Sequence, residues 1–229
     1  MRLVNFVFNI SMNKWLKQFL LLCLILFLGY LVYLNHLVKG AFSSENQSSE
    51  TINYIEYPLE GYPKEMVNML LLIEDQSFFQ HWGVDFKEIV RVFYGYLFED
   101  KAIRGASTIT QQLIKNTLLS RDKTLSRKID EALMAMLMEL NYDKNFILER
   151  YMNTVYLAQQ GSIAFHGFAS ASQFYFDKKV SGLDLREMAT LVALLKGPSY
   201  YHPVKYPDRL NKRVDMILSM HDKYKKIIQ

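Results

Sequence analysis

Met69-Leu70-Leu71-Leu72-Ile73 runs straight into Glu74-Asp75-Gln76-Ser77-Phe78-Phe79-Gln80-His81-Trp82-Gly83. An apolar run that ends in two carboxylates predicts a buried helix whose C-terminal end opens on something polar. A second polar block lies downstream, Gly105-Ala106-Ser107-Thr108-Ile109-Thr110-Gln111-Gln112-Leu113-Ile114-Lys115-Asn116. The bases Arg121, Lys123, Arg127 and Lys128 follow it and lead to Glu131. One carboxylate therefore closes a hydrophobic helix while another sits among cations. That pairing points to a base working beside a bound anion.

Each block also has a plainer reading. Glu74 either turns to solvent at its helix end or is held half-buried, where loss of water suits a general base. Phe78, Phe79 and Trp82 serve as a dry wall for it or as ordinary core aromatics. His81 reads as a structural imidazole bonded to a backbone group. Ser107, Thr108, Thr110, Gln111, Gln112 and Asn116 crowd hydroxyls and amides around Lys115. That composition suits a sugar and phosphate lining better than a solvated helix face, which draws on Glu and Lys. Ser107 has no His/Asp frame in the sequence, so a serine nucleophile is a weak reading. Arg127 and Lys128 stand four and three residues before Glu131 and can share its helix face. They form either an ordinary ion pair or part of a pyrophosphate site.

Charge is placed locally. Four of the 27 basic residues (Arg2, Lys14, Lys17 and Lys39) lie in residues 1–39 with no acid, leaving 23 bases against 23 acids in the rest. An overall basic field for nucleic acid is absent. Within the neutral part, Lys101, Arg104, Lys115, Arg121, Lys123, Arg127 and Lys128 face only Asp122 over residues 101–128. Such a concentration fits one anionic group rather than a polymer. Cys23 is the only cysteine, which excludes an intramolecular disulfide, and the five histidines show no paired metal-ligand spacing.

Gln18 to Val38 carries no charge. At about 1.5 Å per residue this run spans roughly 30 Å, the thickness of a bilayer's hydrocarbon core. It reads as a membrane helix. Gly40-Ala41-Phe42 is a weak cleavage site, so a retained anchor is favoured over a signal peptide. Arg2, Lys14 and Lys17 precede the span and Glu45, Glu50, Glu56 and Glu60 follow it, which places the N-terminus in the cytoplasm and the domain outside. The expected organisation is a cytoplasmic segment over 1–17, a span over 18–38, a polar linker over 39–55 and a catalytic domain over 56–229.

The domain reads as mainly α. Pro63 opens a helix into Glu74, and Val84–Phe93 forms another. Leu125–Leu140 places Leu125, Ile129, Ala132, Leu133, Met136, Leu137 and Leu140 at helical spacing as an inner face. Asp143 caps a helix expected to reach Tyr156. Asp184 and Glu187 resemble a capping box for Leu185–Lys196, stopped by Gly197-Pro198. Arg209–Met220 forms the last helix.

These blocks resemble glycosyltransferase family 51, the peptidoglycan glycosyltransferases, found as monofunctional transglycosylases and within class A penicillin-binding proteins. Glu74-Asp75, Phe78, His81 and Gly83 look like its first motif, and Gly105 to Asn116 its second. Arg127-Lys128 with Glu131 looks like the third. Lys144, Ile147-Leu148-Glu149, Tyr151, Asn153 and Tyr156 resemble the fourth, and Arg213-Val214, Ile217-Leu218 and Met220 fall near the fifth. The resemblance covers roughly residues 60–220.

The resemblance implies a lysozyme-like α fold with a small membrane-proximal lobe, in a bacterial plasma membrane with the catalytic domain periplasmic. It implies polymerisation of lipid II into glycan strands. Glu74 would be the general base on the acceptor hydroxyl, and Glu131 a second essential carboxylate by the pyrophosphate. Lys115, Lys123, Arg127 and Lys128 would offset the diphosphate charge. Arg91, Ser107, Thr108, Gln111, Gln112 and Asn116 would line the substrate cleft. No cofactor is implied with certainty; a divalent cation, Mg²⁺ or Mn²⁺, is the one raised, its ligands left open. The implied partners are lipid II, the growing lipid-linked strand, the cell membrane and transpeptidases or other cell-wall synthases, with no nucleic acid.

Lys123 stands where many relatives have Arg, and Ala158 where a glycine is usual. Gln159-Gln160-Gly161 and Lys196-Gly197-Pro198-Ser199-Tyr200-Tyr201 look closer to the Gram-negative bifunctional type. A sequence ending at Gln229 has no room for a transpeptidase domain, so the chain is read either as monofunctional or as a fragment. Two other readings are a muramidase-like hydrolase and a non-catalytic scaffold that binds lipid II or a synthase. The cations around Glu131 argue against the first, since a hydrolase needs a protonated acid at the leaving oxygen. Intact Glu74 and Glu131 argue against the second.

Overall fold

The computed structural model describes residues 14–43, 53–98, 105, 107–120 and 122–228. Lys101, Arg104 and Arg121 lie outside the described residues, as does most of the expected linker. The elements in order are α1 (Lys14–Phe42), β1 (Asn53–Tyr54), α2 (Lys64–Glu74), α3 (Phe86–Phe98), α4 (Ile109–Leu118), α5 (Leu125–Asn141) and α6 (Lys144–Thr154). Then come β2 (Tyr156–Gln160), β3 (Ile163–His166), α7 (Phe168–Phe176), α8 (Leu185–Leu194) and α9 (Pro207–Ile228).

The centre is α8. Met188, Ala189 and the run Leu191–Leu194 are all buried, so this helix is apolar on more than one side and belongs in the interior. Its start is fixed as the sequence predicts: Asp184 accepts from the Glu187 backbone and Glu187 accepts from the Asp184 backbone. Helices α2 and α9 pack on it, and α4 packs against both α5 and α6. Val214 and Ile217 of α9 are buried, and the Arg213 guanidinium donates to the Ala193 carbonyl at 3.2 Å, so the fifth block fastens α9 to α8.

The first helix also packs on the domain. It runs beyond the expected span at both ends and is long and apolar enough to traverse a bilayer. Its last turns turn Leu34, Val38 and Phe42 into the core, with Phe42 edge-on to Tyr142 at 6.2 Å. Two polar contacts tie it to α5: Tyr30 donates to Asp130 at 2.6 Å, and Asn141 donates to Asn35 at 2.7 Å. The stretch 39–42, expected as linker, is therefore helix packed on the domain.

That packing corrects the expected inner face of α5. Leu125, Ile129 and Leu140 are exposed, whereas Glu131, Met134, Ala135 and Met138 are buried. Leu133 and Leu137 are partly buried beside the core. The helix is covered on the side of the domain core and by α1, which the spacing of its own apolar residues could not reveal.

A small sheet was not foreseen. Strand β3 pairs parallel with β1 and antiparallel with β2. Here β2 begins at Tyr156, where the sequence predicts the end of α6; that helix stops at Thr154. Gly161 takes φ +60 in the two-residue turn between β2 and β3, a conformation that favours glycine.

Candidate active site

The 74–85 segment is shaped by one buried carboxylate. Asp75 accepts the Ile109 N–H at 2.9 Å, at the first turn of α4, and bonds the His81 ring Nε2 at 3.0 Å. It thereby ties the end of α2 to the start of α4. The sequence predicts a backbone partner for His81; the partner is this side chain instead. On its other side His81 lies 3.8 Å from Glu139, which accepts from Thr110 at 2.7 Å and pairs with Lys144 at 2.6 Å. Lys144 also donates to the His81 carbonyl at 2.8 Å. Asp75, His81, Glu139, Lys144 and Thr110 thus form a frame behind Glu74. Charges buried this deeply persist only when paired and hydrogen-bonded.

Phe78 is buried against this frame, with Lys144 over its ring at 4.5 Å, and its burial contributes about 2 kcal/mol. Phe79 and Trp82 are 60% and 69% exposed, so the core-aromatic reading holds for Phe78 alone. Gly83 has φ +80, and a Cβ there would meet the Ala135 backbone at 2.5 Å. Its carbonyl accepts from Thr108 at 2.6 Å. Only glycine lets the segment close against α5 and α4 at one point.

In the second block Thr108 caps α4. Its hydroxyl accepts from the Gln111 backbone and the Gln111 side chain accepts from the Thr108 backbone, both at 3.1 Å. Both residues are 2% exposed. These two expected cleft residues spend their polar groups on the helix start. Gln112 faces elsewhere. Its Nε2 donates to Glu74 at 3.1 Å while its Oε1 accepts from the Tyr151 hydroxyl at 3.1 Å. Glu74 itself ends α2 and is half-buried.

Glu131 is the opposite case, 1% exposed. Arg127 donates to one carboxylate oxygen at 2.8 Å and Lys128 to the other. Lys128 also donates to the Ser107 hydroxyl at 2.8 Å, linking the second block to the third. The Lys128 side chain remains 43% exposed, so a cation faces outward over a buried anion. Among the described residues no cluster of three or more His, Cys, Asp or Glu could hold a metal. Both Glu131 oxygens already hold cations. This carboxylate does not offer the donor set of a resident Mg²⁺ or Mn²⁺.

The structure therefore gathers Arg127 and Lys128 on Glu131, with Ser107 on Lys128, and Gln112 on Glu74. Lys115 and Asn116 are exposed at the end of α4, and Lys123 is exposed ahead of α5. Arg91 on α3 is exposed and pairs with Glu88 at 2.6 Å. None of these four shows a hydrogen bond or ion pair to either glutamate among the described residues. Sequence reasoning placed Tyr151 on the inner face of its helix and in the fourth motif but not at the site, and gave Glu139 no role. The signal was available for Glu139, a lone acid between Met138 and Leu140.

In the fourth block, Asn153 accepts from Tyr62 at 3.0 Å and donates to the Tyr57 carbonyl at 2.9 Å, while Glu149 accepts the Leu59 N–H at 2.8 Å. They fasten α6 to the segment before α2, which keeps Tyr151 aimed at Gln112.

The transglycosylase family matches residues 40–221. The chain belongs to that family. As a transglycosylase it is similar to penicillin-binding protein 1B of Haemophilus influenzae, 39% identical over 179 residues, and of Vibrio cholerae, 44% identical over 161 residues. It is also 44% identical to penicillin-binding protein 1A of Neisseria lactamica over 158 residues. These alignments cover 78%, 70% and 69% of this transglycosylase chain. They cover 23%, 21% and 19% of the respective relatives, about a fifth of their length.

Proposed function

We propose that this transglycosylase is a membrane-anchored peptidoglycan glycosyltransferase that polymerises lipid II and releases its lipid diphosphate. One observation carries the reading. The two motif carboxylates sit in opposite surroundings, Glu74 against a neutral amide and Glu131 under two cations. An amide-held carboxylate can accept a proton, and cations held by a buried carboxylate can meet an anion.

In the proposed reaction the acceptor sugar's 4-hydroxyl oxygen attacks C1 of the donor sugar. Glu74 takes the hydroxyl proton. The C1–oxygen bond to the diphosphate breaks with inversion, and the electron pair leaves on the diphosphate. Lys128 and Arg127 stabilise the charge on that leaving group, with Lys115 and Lys123 as outer cations and Ser107 beside Lys128. Asn116 and Arg91 line the approach, and Thr108 and Gln111 hold α4 in place.

Topology supports the same reading. Helix α1 is long and apolar enough to span a bilayer, which would hold the domain at its surface, where a lipid-linked donor resides, and the charge bias favours a cytoplasmic N-terminus. Exposed Phe86, Val90, Phe93 and Phe98 on α3 and exposed Leu125 and Ile129 on α5 are apolar surface of the kind that a domain working against a bilayer would carry. Partner transpeptidases would act on the strands outside.

The test is incubation of the purified, detergent-solubilised chain with labelled lipid II, with and without Mg²⁺, followed by gel separation of glycan strands. Polymer from the wild type, and none from Glu74→Gln, is the expected result. Release of short fragments from finished peptidoglycan instead would overturn it.

A further inference from the structure

Tyr151 has no part in the proton transfer or in holding the diphosphate. It is 1% exposed, on α6, and its hydroxyl reaches the Gln112 carbonyl oxygen at 3.1 Å. The same amide's nitrogen reaches Glu74 at 3.1 Å. We infer that Tyr151 is a positioning residue for Glu74, acting through Gln112 by anchoring the far end of the amide whose NH₂ faces the carboxylate. This inference rests on the reading of Glu74 as the base.

A primary amide can flip, exchanging its acceptor and donor ends at little cost unless its neighbours distinguish them. At Gln112 the Glu74 carboxylate does, because it only accepts, and the phenol fastens the amide's far end. The phenol presents an O–H to the carbonyl end, and the carboxylate accepts from the NH₂ end. The flipped amide would set a carbonyl oxygen against a carboxylate oxygen, two acceptors with no proton between them. Burial, reinforced by the nearby Glu74 and Asp75 charges, pushes the Tyr151 phenol well above its ordinary range. It therefore remains an O–H donor throughout the range in which an enzyme works.

The anchoring of each member follows from its element. Tyr151 is held on α6 between buried Leu148 and Met152. Gln112 sits on α4, whose first turn is pinned by Asp75 and by the Thr108–Gln111 capping box. Glu74 ends α2. Three helices thus meet in one chain of two hydrogen bonds that ends on the base. A charged donor at the position of Gln112 would neutralise the carboxylate. An amide holds it without doing so, and the tyrosine anchors the amide's other end so that it stays in place.

The experiment is steady-state kinetics of the full chain on labelled lipid II for Tyr151→Phe, Gln112→Leu and the double variant, with thermal melting of each. Tyr151→Phe is expected to lower kcat about tenfold, KM staying within about twofold, as befits one lost orienting bond. The double variant is expected to be no slower than the slower single variant, because both act along one chain. Tyr151→Phe turning over at the wild-type kcat would overturn the inference. So would multiplicative losses in the double variant, or a loss confined to KM. If Tyr151→Phe melts before the assay temperature, Gln112→Leu decides alone: an unchanged kcat overturns the relay, and a lowered kcat with unchanged KM supports it. Wild-type polymerisation is the control. Its absence overturns the functional reading itself, a result separate from any failure of the relay.

Discussion

Glu74 and Glu131 are the same side chain in two contrasting settings. Glu74 ends a helix, is half-buried and takes one hydrogen bond from a neutral amide. Glu131 lies inside a helix, is almost wholly buried and holds Arg127 and Lys128 on its two oxygens. A carboxylate occupied by two cations is committed to holding them. One held by an amide keeps its charge available to a proton. The difference comes from neighbours rather than from residue type, and the proposed split between base and anion site rests on it.

The largest expected effect breaks the Glu74 side alone. Glu74→Gln should lower glycan synthesis about a thousandfold, the range of a lost general base, while the melting temperature stays near wild type. A comparable loss of melting temperature would place Glu74 in the framework instead. Gly83→Ala attacks the point where the two sides meet. The added Cβ would press on the Ala135 backbone in a backbone conformation that disfavours side chains. A destabilisation of about 3 kcal/mol by chemical denaturation is expected. An unchanged midpoint would show that α5 can move away from the segment without cost.

Arg127→Met strips one cation from Glu131 and leaves the buried carboxylate half-paired. Because Lys128 remains and the site is partly open, the expected loss of stability is about 2 kcal/mol, with activity falling as well. Full stability in this variant would mean that the Glu131 pairs are ornamental.

The smallest effect concerns a third carboxylate with a local task. Asp85 accepts the Glu88 N–H at 2.9 Å and also takes a bond from the Ser77 hydroxyl, at the start of α3. Burial pushes its carboxyl up, but the Ser77 and backbone bonds outweigh this, and the net direction is below its ordinary value. A depressed carboxylate stabilises the fold above its unfolded pKa and loses that contribution as pH falls through its folded value. Asp85→Ala should therefore cost about 1 kcal/mol at neutral pH and progressively less in acid. Denaturation midpoints measured at neutral and acidic pH check the sign; an equal loss at both would contradict it.

The helices were largely legible because their signals are local. The caps at Asp143 and Asp184 and the charge-free run Gln18–Val38 depend on residues within a few positions of each other. The inner face of α5 was misjudged because α1 returns from far along the chain to cover part of it. The small sheet was missed because β1 and β3 pair across residues 54–163 with only two pairs in register. His81 received a carboxylate rather than a backbone partner for the same reason: only the loop's closure brings Asp75 and Glu139 to it.

By itself, the sequence determined which residue types were present for chemistry: a carboxylate after an apolar helix, a cation-flanked glutamate and an amide-rich block between them. It also determined a helix long and apolar enough to span a bilayer, since that property depends on length and apolarity alone. Tertiary structure decided what each group does. It turned Thr108 and Gln111 into a cap, left Arg91, Lys115, Asn116 and Lys123 away from both glutamates, and set Tyr151 behind Gln112. Propensity and spacing act over a few residues. A hydrogen bond chosen between α4 and α6 depends on how whole helices pack, and no local pattern encodes that choice.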